Sequence, residues 1–236
     1  MAHKILHEGV KLMTKLMLIN GSPRKNFNTA KLLKEAARGA QDAGAEVELV
    51  NLYDLNYKGC MSCLVCKRKG NTTNGLCFYK DELTPILAKC LNADAVIVGS
   101  PVYHSYPSGM LRSFLERFMF PAHTYMLDKE HGGLKRVLDR TLPVGVIMTM
   151  NATQAQFKQH HYDAILDENE TSLRAVFGYS ETLYVYDTFQ YTDYSKYDCD
   201  LFDAEHKAKV RDEQFPQDLA KAYAMGQRLA TFKQQH

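Results

Sequence analysis

Two rhythms of apolar residues alternate along the chain. Residues 16–20 (LMLIN) form a short apolar run of strand length, and 46–50 (EVELV) alternate with period two. Residues 95–99 (AVIVG) and 142–148 (LPVGVIM) are apolar throughout, the pattern of strands buried on both faces. Residues 182–186 (TLYVY) supply a fifth strand. Between these runs the period lengthens to that of a helix. Residues 29–43 place Leu33, Ala37 and Ala40 on one face, with Gly44 as the stop. Helices follow over 81–92 (Leu83, Ile86, Leu87 and Cys90 inward), 108–119 (Met110, Leu111, Phe114, Leu115, Phe118) and 154–176. A closing helix over 216–232 carries Leu219, Ala222, Met225, Leu229 and Phe232. Strands that alternate with helices predict an α/β fold: a parallel sheet with helices on both faces. Right-handed crossovers leave the strand order 2-1-3-4-5, which puts a ligand beyond the carboxyl ends of the strands at the switch point between strands 1 and 3. The loops to read are therefore 20–29, 100–108 and 149–154, with longer insertions at 55–80 and 120–141.

Composition narrows the classes of function. The chain has 236 residues, 45% hydrophobic and 24% charged, ordinary proportions for a packed domain. Its 29 basic and 27 acidic residues leave a formal charge of +2, which makes no electrostatic case for nucleic acid or an anionic membrane surface. No apolar run reaches the ~20 residues that span a bilayer. Residues 1–13 lack the apolar stretch of a secretory signal and read as a loose arm ahead of one domain, 14–236. Six cysteines without such a signal point to reduced thiols in a cytoplasmic protein.

The loop after strand 1 reads Asn20-Gly21-Ser22-Pro23-Arg24-Lys25-Asn26-Phe27-Asn28-Thr29. Gly21 permits a tight turn, Ser22, Asn28 and Thr29 offer side-chain donors, and the N–H groups of the next helix open into the same space. The helix dipole favours an anion there, and Arg24 adds a charge-assisted contact to phosphate. Against this, Asn28 or Thr29 alone would serve as an ordinary helix cap. The loop is neither G-x-G-x-x-G nor G-x-x-x-x-G-K-[ST], so it lacks the dinucleotide and nucleoside-triphosphate fingerprints and suits a small phosphomonoester.

The stretches NGSPRKNFNTAKLL and VGSPVYHSYPSGMLRSFLER resemble the flavodoxin-like NAD(P)H-dependent FMN reductase family. The intervening GCMSCLVCKRKGNTTNGLCFYKDELTPIL is similar to the cysteine-bearing insertion of its iron–sulfur flavoprotein branch. The resemblance implies a three-layer flavodoxin-like fold and FMN as cofactor, with Ser22, Arg24, Asn28 and Thr29 on its phosphate. It sets Pro101, Val102 and Tyr103 along the edge of the isoalloxazine ring, with Ser105 and Tyr106 close by. Asn151, after strand 4, is the candidate for a third wall. An aromatic side chain such as Tyr103 or Tyr106 can cover a face of a flat ring. The implied activity is hydride transfer from NAD(P)H to FMN and onward to a quinone, a nitro or azo compound, a flavin or a similar acceptor. Because the flavin carries that chemistry, no side chain is nominated as a general acid or base. An alternative is an electron-transfer flavoprotein reduced by a protein partner. The resemblance also implies a homodimer or a higher homo-oligomer, with partner residues closing the flavin pocket, and no nucleic-acid partner or membrane insertion.

Cys60, Cys63, Cys66 and Cys77 form C-x2-C-x2-C-x10-C. The first three resemble the compact spacing that holds a [4Fe–4S] cluster, and the fourth can close it. The long gap before Cys77 departs from that branch, so a zinc site and plain reduced thiols stay open beside the cluster. Cys90, on an apolar helix face, reads as core. The tyrosine-rich 184–197 segment reads equally as a pocket or interface wall and as a loop packed on itself.

Overall fold

A computed structural model describes residues 13–130 and 132–233. The predicted arm, 1–13, lies outside the described residues except for Met13. Five parallel strands form the sheet: β1 (Lys15–Asn20), β2 (Glu46–Asn51), β3 (Ala95–Tyr103), β5 (Val144–Thr149) and β6 (Ser180–Val185). Their order, β2-β1-β3-β5-β6, is the predicted one counted over parallel strands. The extra strand β4 (Tyr106–Pro107) pairs antiparallel with the end of β3, Tyr103 opposite Tyr106.

The period of two along each strand sorts side chains into two cores. Met17 and Ile19 of β1, Val96 and Val98 of β3, and Val144, Val146 and Met148 of β5 face one layer. There they meet α2 (Leu83–Asn92), α3 (Gly109–Ala122) and α5 (Tyr162–Phe177). Leu16, Leu18, Ala95, Ile97 and Ile147 face the other layer, against α1 (Asn28–Asp42) and α7 (Phe215–Ala230). Cys90 is fully buried in the first core, as its position on the helix predicted. Two glycines let helices close on the sheet: a Cβ on Gly99 would lie 2.8 Å from Leu33 Cδ1, and one on Gly145 2.8 Å from Leu229 Cδ1.

Three elements differ from the sequence reading. The helix expected over 154–176 is two helices, α4 (Gln154–Gln159) and α5, broken where His161 takes a left-handed φ of 53°. A helix, α6 (Ala204–Glu213), precedes α7; its residues AEHKAKVRDE carry almost no apolar stripe, so periodicity could not reveal it. Finally, the loop expected over 100–108 is a hairpin. His104 and Ser105 both have positive φ, 48° and 72°, as a two-residue turn of the primed kind requires. Neither is glycine, so this turn holds backbone strain beside the predicted ligand loop.

Candidate functional site

The carboxyl ends of β1, β3 and β5 open into one cleft of about 160 Å3. Eight of the ten predicted cofactor residues line it: Ser22, Arg24, Asn28, Thr29, Pro101, Val102, Tyr103 and Asn151. Ser105 and Tyr106 lie in the β3–β4 hairpin, outside the cleft walls; Tyr106 is exposed. Met150 stands beside Asn151 in the expected third wall, while Phe27, Thr149, Thr188 and Gln190 line the cleft without having been singled out from the sequence.

A buried polar network fixes the two main loops. Asn20, fully buried, accepts from the Ser22 N–H at 3.0 Å and donates to Asn51 Oδ1 at 2.9 Å. The Gly21 N–H donates to the Gly99 carbonyl at 2.8 Å, and Ser108 Oγ donates to the Gly21 carbonyl at 2.6 Å. Ser108 Oγ also caps α3 by accepting from the Leu111 N–H at 3.2 Å. The loop after β1 is thus tied to the start of α3 by groups that no motif marks.

α1 starts without a side-chain cap: the residue before it is Phe27, which has no polar side chain. Asn28 and Thr29 do not cap it either. Asn28 Nδ2 donates to the Phe189 carbonyl at 2.8 Å, and the hydroxyls of Thr29 and Thr149 are hydrogen-bonded at 2.8 Å. The first-turn N–H groups of α1 therefore have no competing side-chain acceptor, the arrangement that suits an anion. The Arg24 guanidinium lies 3.2 Å from the centroid of the Phe27 ring and donates to the Gln190 carbonyl at 2.7 Å. Asn151 Nδ2 donates to Gln190 Oε1 at 2.6 Å, while its Oδ1 is buried with no partner. A buried, unpaired acceptor in a cleft wall is costly unless a ligand N–H completes it.

The segment after β6 closes one side. Thr188 donates through both N–H and Oγ1 to the Met150 carbonyl, at 2.9 and 3.1 Å. The tyrosines beyond it pack mainly on each other, Tyr191 stacking on Tyr197 at 4.1 Å. The segment is therefore both a cleft wall and a self-packed loop. Its anchor is Lys207 of α6, which is 2% exposed, pairs with Asp187 and donates to the Asn151 carbonyl at 2.7 Å. His206 Nε2 lies 2.6 Å from Asp187 Oδ2. Burial alone would raise the Asp187 pKa, but Lys207 and His206 outweigh it and hold it below the usual carboxylate range. A depressed folded-state pKa stabilises fully above the unfolded value, about 3.9, and that stability is lost as pH falls through the lower folded value. Melting curves from pH 6 to pH 3 are therefore expected to fall less steeply below pH 4 for Asp187→Asn than for the wild type. Parallel curves would remove Asp187 from this account.

The 55–80 insertion makes a second site. Cys60, Cys63, Cys66 and Cys77 line one cavity, bounded on the α3 side by Glu116, Arg117, Phe120 and Pro121. The cavity is small, about 20 Å3, and Cys60 and Cys63 lie on its solvent side. Ser62 and Leu64 have left-handed φ, 52° and 57°, and these two turns lie in the segment that brings Cys60, Cys63 and Cys66 to the cavity wall. Such strain in non-glycine residues persists only where its surroundings impose it. Lys67 Nζ donates to the carbonyls of Phe120 and His123 at the end of α3, fastening the cysteine arm to that helix. Burial raises the Cys66 thiol pKa, against the opposing pull of Lys67. Among the described residues no three Cys, His, Asp or Glu side chains are grouped to hold a metal ion.

A doubly wound parallel sheet with a cleft at its switch point, walled by an uncapped helix start and an arginine, defines a flavodoxin-like fold with its candidate ligand site where that fold places one. The chain matches the NADPH-dependent FMN reductase family over residues 14–136, more than half its length, and belongs to that family. It is 36% identical over 103 residues to an iron-sulfur flavoprotein of Methanocaldococcus jannaschii, a match covering 44% of this chain and 51% of that protein. An iron-sulfur flavoprotein of Archaeoglobus fulgidus is 35% identical over 103 residues, covering 44% and 48%. The chain thus spans about half the length of these curated relatives. Among solved structures, an NAD(P)H:quinone oxidoreductase from Methanothermobacter marburgensis superposes with a TM-score of 0.67 at 14% identity, covering 94% of this chain and 99% of that one. An azoreductase from Bacillus anthracis gives 0.62 at 15% identity, covering 92% and 100%. At such identities the likeness is one of fold. No described helix is long and apolar enough to cross a membrane.

Proposed function

We propose that this chain is an FMN-dependent oxidoreductase that takes hydride from NAD(P)H and passes electrons to a small acceptor such as a quinone, a nitro or azo compound or a free flavin. The observation that carries this reading is the convergence of residues from three separate loops on one cleft at the uncapped start of α1. Ser22, Arg24, Asn28 and Thr29 bind the phosphate. The cleft is smaller than the ~300 Å3 of an ordinary small-molecule pocket, so it suits the anionic tail and leaves the flat ring toward Pro101, Val102 and Tyr103. Asn151 Oδ1 accepts from a ligand N–H, and Lys207 holds that wall in place. When bound, FMN supplies the hydride-accepting centre; the chain supplies position, orientation and shelter from water. An oligomer of identical chains belongs to the same reading, and exposed Tyr125, Met126 and Leu127 offer it an apolar surface.

The test is an absorption spectrum of FMN-loaded protein, kept anaerobic, before and after NADH or NADPH. Bleaching of the yellow chromophore by the nicotinamide alone is expected. Flavin that is bound and bleached only by a protein donor would replace the enzyme with an electron carrier, and failure to bind FMN would remove both.

The convergence of the four cysteines on one cavity favours a second element, an iron–sulfur cluster held by Cys60, Cys63, Cys66 and Cys77. The donor set fits: four sulfurs on one pocket, with a buried cation beside them. When bound, a cluster supplies a one-electron centre, and the chain holds it against α3. Iron and acid-labile sulfide in anaerobically purified protein are the measure; their absence from unreconstituted and reconstituted protein alike would leave reduced thiols.

A further inference from the structure

Arg117 is among the largest fully buried side chains of the described residues, and it does not line the cleft at the switch point. It projects from the third turn of α3 to the base of the cysteine insertion. One guanidinium nitrogen donates to the Lys58 carbonyl at 3.0 Å and pairs with Asp81 at 2.5 Å. The other donates to the Tyr79 carbonyl at 2.8 Å. It therefore grips the insertion where the chain leaves for Cys60 and where it returns from Cys77. Its Nε–H is buried and has no partner. Arg117 is also part of the wall around the four sulfurs. A guanidinium cannot shed its charge at accessible pH, so a permanent cation with one unpaired donor borders the cysteine cavity.

We propose that Arg117 is a positioning residue whose charge sets the reduction potential of a cluster held by Cys60, Cys63, Cys66 and Cys77. The inference rests on the cluster reading above. Reduction adds negative charge to the sulfur-bound centre, and a fixed cation in a dry wall stabilises the reduced form more than the oxidised one. Asp81 opposes this by pairing with the same guanidinium. The two residues thus act on the potential in opposite directions while both fasten the same loop ends.

The experiment compares wild type, Arg117→Gln, Arg117→Lys and Asp81→Asn after anaerobic purification or reconstitution. Iron per chain, circular dichroism and the midpoint potential of the cluster from a spectroscopic redox titration are measured. Arg117→Gln is expected to lower the ratio of reduced to oxidised cluster at a fixed potential by about tenfold or more, a fall of about 59 mV for one electron. Arg117→Lys, which keeps the charge, should stay near wild type. Asp81→Asn should move the potential upward, and it carries the test should Arg117→Gln fail to fold or to retain iron. Wild-type iron content with an unmoved potential in Asp81→Asn, or in a folded Arg117→Gln, overturns the inference alone. A wild type without iron and sulfide overturns the cluster reading and the inference together. A loss of iron common to all three variants, with no shift in what remains, reduces Arg117 to a loop anchor and also overturns it.

Discussion

Replacing Arg24 by Ala is expected to weaken FMN binding by about 1.5–3 kcal/mol, roughly ten- to hundredfold, the range for a hydrogen bond to a charged group. The guanidinium is already placed. It stacks on Phe27 and is held by the Gln190 carbonyl, so little side-chain entropy remains to be lost when it meets a phosphate. Titration by quenching of flavin fluorescence measures the effect. Riboflavin is the control, because it lacks the phosphate and should bind wild type and variant alike. Arg24→Lys keeps a charge but loses the planar fork and the stacking, and should fall between the two. The defect should shrink in high salt, since Arg24 is exposed. Equal losses for FMN and riboflavin would move Arg24 from the phosphate to the ring. An unchanged FMN affinity would remove it from the site.

The legible part of this site was the part made by elements with strong local signatures. The buried runs of β1, β3 and β5 fix where their carboxyl ends lie, and a residue just past such an end belongs to the crevice whatever its type. Ser22, Arg24, Pro101 and Asn151 were reachable on that ground. Thr188 and Gln190 were not. They come from a polar, tyrosine-rich segment beyond β6, and only the bonds of Thr188 to the Met150 carbonyl carry it back to the cleft. Asn20, Ser108 and Ser100, whose Oγ accepts from the Ser108 N–H at 2.8 Å, were also invisible as a group. Each is an ordinary polar residue in sequence, and their common role exists only once β1 and β3 lie side by side.

The same distinction explains the misread elements. No glycine or proline interrupts residues 154–176, so the left-handed φ of His161 that divides α4 from α5 leaves no trace in composition. α6 was missed because a helix held by capping at Asp203 and by one buried ion pair needs no apolar stripe. In the cysteine insertion the spacing was plain, but convergence depended on left-handed turns at Ser62 and Leu64, where glycine would be the usual signal. Tertiary contacts, above all those of Lys67 and Arg117 with the ends of the loop, supply what the local sequence lacks.

The layer behind the loop after β1 sets the last expectation, a loss of about 3 kcal/mol in folding stability for Gly226→Ala. α1 and α7 cross at glycines on both sides. A Cβ on Gly226 would stand 1.9 Å from the Ala36 carbonyl oxygen, and one on Gly39 2.0 Å from the Tyr223 carbonyl oxygen. Both obstacles are backbone, so no rotamer change relieves them; the helices must separate and open the core around Leu33, Ala40, Ala222 and Met225. In an exposed helix the same change would gain up to about 1 kcal/mol from propensity, so a loss isolates the packing cost. For a chain of this size about 3 kcal/mol corresponds to a fall in Tm of roughly 6–12 °C. Because α1 carries Asn28 and Thr29 at its other end, the displaced helix should also bind FMN less tightly at temperatures where the protein is still folded. Calorimetry and the flavin titration test both parts. A Gly226→Ala protein as stable as wild type would mean that the two helices do not approach at these glycines. A destabilised one with unaltered FMN affinity would show that the opening of α1 holds its place independently of the layer that backs it.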